Sequence, residues 1–152
     1  MCVLATAPLP AGGGEPSSTQ PAAPASPTSP VGKWKTVDDD TGRVESIVEI
    51  TEKDGKLSGR IEKLMIIPGD DPDPKCDKCE GEKKDKPITG MTIIWGLTRD
   101  GDEWNGGTVL DPDKGKLYRC YIKLLDAGRR LKIRGYIGIS LLGRTQYWLR
   151  AE

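Results

Sequence analysis

From Val31 to the end of the chain, apolar and polar positions alternate with a period of two. Val44, Ser46, Val48 and Ile50 share one face, and Glu45, Glu49 and Thr51 the other. Met91, Ile93, Trp95 and Leu97 alternate with Thr92, Ile94 and Gly96. Tyr118, Cys120, Ile122 and Leu124 alternate with Arg119, Tyr121 and Lys123, and Leu131, Ile133, Gly135 and Ile137 with Arg130, Lys132, Arg134 and Tyr136. This is the pattern of strands with one wet face. Asp-Gly and Asp-rich clusters separate the segments at 38–42, 53–56, 99–102, 111–115 and 126–128. Such clusters supply the positive-φ positions of tight turns. The expected strands cover roughly 32–37, 43–52, 57–66, 88–98, 103–110, 116–125, 130–138 and 144–150. Short connections make neighbours antiparallel. The fold class is all-β, an eight-stranded antiparallel up-and-down barrel whose closure would remove exposed edges. An open or two-layer sheet is the rival. A barrel of eight is either filled by its own side chains or holds one small ligand.

Composition divides the chain. Residues 1–30 carry 7 of the 12 prolines and one charged side chain, Glu15. A segment so poor in apolar bulk reads as a disordered leader or tether. Residues 31–152 form a single domain. Ala5-Thr6-Ala7 has the form of a signal-peptidase site, so the leader reads as a signal-peptide remnant, as a lipoprotein start with a lipid anchor on Cys2, or as a plain disordered start. No apolar run is long enough for a membrane span. Net charge is zero, which gives no support to a nucleic-acid partner. There is no histidine, so the commonest general base and metal ligand is missing. The expectation is a non-enzyme with no cofactor and no metal.

Two resemblances follow from particular residues. Gly32-Lys33-Trp34 opens the first strand, and Arg144 or Arg150 sits on the last. This resembles the lipocalin-like (calycin) signature, in which a G-x-W tryptophan is met by a C-terminal arginine. A closer resemblance is to a family of small, secreted bacterial proteins of unknown function. It is carried by Val31 to Trp34, Cys76-Asp77-Lys78-Cys79 through Lys84, Pro87 to Met91, Trp104 to Gly107, Leu110-Asp111-Pro112, Gly115 to Tyr118, and Arg134 through Gln146. The resemblance implies a lipocalin-type barrel and export, hence a periplasmic or secreted protein. It implies no settled activity.

The candidate ligand-binding residues are Trp34, Arg134, Tyr136, Arg144, Gln146 and Trp148. Arg144, Gln146, Trp148 and Arg150 share one face of the last strand. One of the arginines either closes the barrel base by stacking on Trp34, or Arg144 and Gln146 face a cavity and bind an anionic head group through the guanidinium fork. Arg134 and Tyr136 either extend that polar site or form an exterior pair. Cys76 and Cys79 lie in the longest connection, 67–87. They are disulfide candidates, with each other or with Cys120, whereas structural zinc lacks ligands and a redox pair lacks its βαβ setting. Cys120 also reads as a small buried hydrophobe. The paired aspartates all fall in turns. The expected function is binding of a small hydrophobic or amphipathic molecule. The alternative is a structural or interaction protein of the cell envelope, contacting an envelope protein through the 67–87 loop with Ile66 and Ile67 exposed.

Overall fold

A computed structural model describes residues 29–138 and 143–151. Residues 1–28 of the leader, with Cys2 and Ala5-Thr6-Ala7, and Ile139 to Leu142 within the C-terminal motif, lie outside the described residues. Eight strands run β1 Gly32–Val37, β2 Val44–Lys53, β3 Lys56–Leu64, β4 Thr92–Asp100, β5 Glu103–Asp111, β6 Lys116–Leu125, β7 Arg130–Tyr136 and β8 Gly143–Arg150. Each pairs antiparallel with the next, and β1 pairs with β8 through Trp34 opposite Arg150 and Lys35 opposite Leu149. The sheet is a closed barrel, so the open-sheet alternative is ruled out.

Where the strand limits differ from expectation, turns account for it. β4 starts at Thr92 rather than 88, because Ile88 to Met91 form a turn in which Met91 N–H donates to Ile88 O at 3.1 Å. The simple alternation expected for Met91, Ile93, Trp95 and Leu97 also fails. β4 and β5 kink together at Gly96 and Gly106, both at positive φ (79° and 76°), and the β5–β6 register shifts between Trp104 and Gly107. A bulge reverses which residues face inward. Ile94 and Leu97 therefore point into the barrel, and Trp95 lies outside under the Lys83 ammonium, 5.2 Å from its ring centre. Gly107 is needed at this crossing, since a Cβ there would stand 2.6 Å from Leu97 Cγ.

The two barrel ends differ. One carries the turns at 54–55, 101–102 and 126–128, and the other carries the connections 38–43, 65–91 and 111–115 together with the end of β7 and the start of β8. Near the first end the barrel is packed solid by Trp34, Ile50, Leu57, Leu97, Ile122 and Leu131, all essentially inaccessible. Arg150 closes that end. Its guanidinium lies 4.3 Å from the Trp34 ring centre and donates to Gly128 O (2.7 Å), Val31 O (3.1 Å) and Ser29 O (2.8 Å). Trp34 Nε1 donates to Pro30 O at 2.8 Å.

Candidate functional site

The half of the barrel away from Arg150 is hollow. A cavity of about 730 Å³ opens between the connections at that end, within the usual range for a small-molecule site. Its wall is mainly aliphatic, with Ile61, Leu64, Ile93, Val109 and Ile133, and Trp148 is also part of the lining. Ile61, Val109 and Ile133 face inward by alternation with outward polar residues on their strands, whereas Ile93 is buried beside the inward Ile94 where the β3–β4 register slips between Gly59 and Arg60. Four polar groups interrupt the wall: Thr36, Ser46, Tyr118 and Gln146. Thr36 and Ser46 are buried, and their hydroxyls are hydrogen-bonded to each other at 2.7 Å. Gln146 Oε1 accepts from Trp148 Nε1 at 3.2 Å. That bond leaves the Gln146 amide nitrogen as a donor for a ligand.

The mouth is acidic. Its lining includes six carboxylates, Asp38, Glu45, Asp70, Asp71, Asp111 and Asp113, against three cations, Arg43, Lys114 and Arg144. Arg144 is already engaged, with Nη2 and Nε donating to Asp39 Oδ2 at 2.6 and 3.1 Å. Hydrogen bonding to Asp39 raises its pKa further. Asp38 Oδ1 accepts from Thr41 N–H (2.7 Å), Thr41 Oγ1 (2.9 Å) and Asp40 N–H (3.0 Å). The bond from Thr41 N–H is the main cause of its lowered pKa. Asp111 likewise accepts from the N–H groups of Asp113 and Lys114, so turn chemistry accounts for both aspartates. Glu45 differs: partial burial first, then the charges of Asp38 and Asp113, hold its pKa above the ordinary 4.5.

The 65–91 connection covers one side of the mouth. It is folded on itself by Cys76 N–H to Lys86 O and Asp85 N–H to Cys76 O, each 2.9 Å. A disulfide joins Cys76 to Cys79, and both cysteines are buried. This segment rests on the 111–115 turn. Cys76 Sγ lies 3.3 Å from Pro112 O, and the Lys78 carbonyl occupies the space a Gly115 side chain would need. Cys120 is a free, buried thiol whose pKa is pushed up to about 12 by burial. It takes no part in the disulfide.

The six sequence-derived candidates separate into three groups. Arg144, Gln146 and Trp148 line the cavity. Trp34 lies at the closed end under Arg150, so of the two arginines weighed for that place Arg150 fills it. Arg134 and Tyr136 are on the outer surface, with Arg134 Nη1 donating to Thr145 Oγ1 at 2.7 Å, and do not extend the polar site. Sequence reasoning missed Thr36, Ser46, Glu45 and Tyr118. The inward alternation of Ser46 and Tyr118 with apolar neighbours was the signal available for two of them. Among the described residues no group of three or more His, Cys, Asp or Glu side chains is arranged to hold a metal, and no helix is long and apolar enough to cross a membrane.

Residues 32–150 match the model of a family described as uncharacterized protein conserved in bacteria (DUF2147). A search of curated proteins found no match. Among solved structures, protein HP1028 from Helicobacter pylori, described as belonging to the lipocalin family, shares this fold. Its TM-score is 0.69 and its identity 18%, over 82% of this chain and 84% of that one.

Proposed function

This chain belongs to that family of uncharacterised bacterial proteins and is built as a lipocalin-like barrel; from that premise we propose that it binds a small, partly apolar molecule in its open half. The observation that carries this reading is the cavity itself, apolar in its wall and opening at a polar rim. An interior of this kind gains from taking up an apolar chain or ring. Gln146, Tyr118 and the Thr36–Ser46 pair offer a few fixed hydrogen bonds for orientation.

The rim argues against an anionic head group. Arg144 is occupied by Asp39, and carboxylates outnumber cations two to one around the mouth. A ligand with a neutral or cationic polar end fits this field, its apolar part inward. We infer a binding rather than catalytic role. The rim carboxylates with a turn function are held by backbone N–H groups, and no histidine is present to act as a base. The Cys76–Cys79 disulfide supports export to an oxidising, periplasmic or secreted location.

The test is native mass spectrometry of protein purified gently from its own host, followed by organic extraction. The proposal expects a retained small molecule that is partly apolar and neutral or cationic. Protein that emerges free of ligand and fails to take up any amphiphile contradicts it. A second reading has its own observation: Ile66, Ile67 and Ile137 are exposed at the mouth, which suits contact with an envelope protein. Capture of such a partner that is abolished by Ile66→Ser/Ile67→Ser, with no ligand recovered, favours that reading.

A further inference from the structure

Zero net charge conceals a one-sided distribution. Strands β6, β7 and β8 contain no Asp or Glu. Their inward positions face the barrel interior, so their outward positions form one convex face carrying Arg119, Lys123, Arg130, Lys132 and Arg134. Lys35 of β1 continues it beside Leu149. The carboxylates that border this face lie at the closed end: Asp102 pairs with Lys123 (3.2 Å), Asp126 pairs with Arg130 (3.1 Å), and Glu103 of β5 stands opposite Lys123 in the register. Arg119 and Lys132 have no carboxylate partner among the described residues.

Folding alone does not call for this arrangement. The register sets Lys123 directly opposite Lys132, and like charges in that position destabilise a sheet pair. Tyrosines are interleaved with the cations. The Arg130 guanidinium lies 4.9 Å from the Tyr147 ring centre, and the Lys132 ammonium lies 5.7 Å from that of Tyr121. Tyr147 and Leu149 are nevertheless 44% and 43% exposed, and Leu117 at the other end of the face is 57% exposed.

We propose that the outer face of β6–β8 docks on an anionic phospholipid surface, with the cations on headgroup phosphates and Tyr147, Leu149 and Leu117 at the interface. Charge complementarity requires an anionic partner. The convex shape suits a broad surface better than the groove in which a single strand of nucleic acid is tracked. Cations already covering Tyr121 and Tyr147 leave those rings poorly placed for base stacking. Tyrosine among basic side chains is the composition of a membrane–water boundary.

The test is cosedimentation of the full chain with phosphatidylcholine vesicles and with vesicles of equal parts phosphatidylcholine and phosphatidylglycerol, at low and high salt. The proposal expects binding to the anionic vesicles alone, weakened by salt. Each cation near such a surface contributes roughly a fivefold factor. Arg119→Gln/Lys132→Gln should therefore weaken binding by roughly thirtyfold. The control Lys53→Gln/Lys56→Gln removes the same charge from the β2–β3 turn and should change it little. Failure to bind anionic vesicles at low salt, or equal losses in the two double variants, overturns the proposal. So does preferential binding of a single-stranded oligonucleotide, which would assign the face to nucleic acid. None of these outcomes bears on ligand uptake by the cavity, so the two readings fail separately.

Discussion

Arg150 shows how one side chain completes this barrel. It replaces water around three backbone carbonyls and covers the Trp34 ring. Removing it leaves those acceptors without their charged donor, at a cost of about 2–4 kcal/mol. Arg150→Ala should lower the melting temperature by roughly 10 °C in thermal denaturation. Arg150→Lys should recover little, because an ammonium cannot serve three divergent carbonyls and lie flat on an indole. The sequence placed an arginine against Trp34 but left Arg144 and Arg150 open. They share a face of one strand, and only closure of the barrel decides which end each reaches. Cys120 offers a second test at this scale. With its thiol pushed up to about 12, it should resist iodoacetamide at pH 8 in the native protein and react fully in denaturant.

Glu45 gives the rim a pH response. Its carboxyl is held above 4.5, while Asp38 is held below 3.8. As pH falls, Glu45 therefore takes up its proton before Asp38 does. An alkylammonium ion keeps its charge throughout, so its affinity should fall as pH drops through the carboxylate range and Glu45 is neutralised first. Affinity for an alcohol of the same chain length should not change over that window. Isothermal titration at several pH values checks both. Equal pH profiles for the two would remove the rim from ligand recognition.

At the scale of elements, regular strands were readable and irregular ones were not. Alternation in β2, β6, β7 and β8 matches the inward faces found, because each is buried on one side only. β4 misled because Gly96 and its neighbour Gly106 on β5 insert a paired kink, and a one-residue bulge exchanges the faces. The 65–91 connection has no periodicity to read. Its position is set by the disulfide and by contact with the 111–115 turn. Gly115 is the sensitive point, at φ 66° with the Lys78 carbonyl against its Cα. Gly115→Ala should cost about 1–3 kcal/mol and loosen the covering segment. Faster reduction of the Cys76–Cys79 bond by dithiothreitol would register that loosening. An unchanged reduction rate would mean that this segment is not held by the 111–115 turn.

For the whole molecule, the eight-strand barrel was legible from punctuation and period. Its division into a solid half and a hollow half was not. That division depends on where the large side chains fall. Trp34, Leu57, Leu97 and Leu131 crowd one end, while Ser46, Val109 and Gly135 sit at the same inward positions toward the other. The charge distribution was equally hidden, since a total of zero is the sum of an acidic mouth and a basic side.

The account rests on an open half-barrel that accepts an apolar chain with a neutral or cationic end. Calorimetric titration of decanol, decylammonium and decanoate into the wild type and into Val109→Trp, whose fold is verified by circular dichroism, tests this most directly. The account predicts measurable binding of the alcohol and the ammonium ion, weaker binding of the carboxylate, and loss of all three in the filled variant. No binding to the wild type, or binding that Val109→Trp leaves intact, would contradict it.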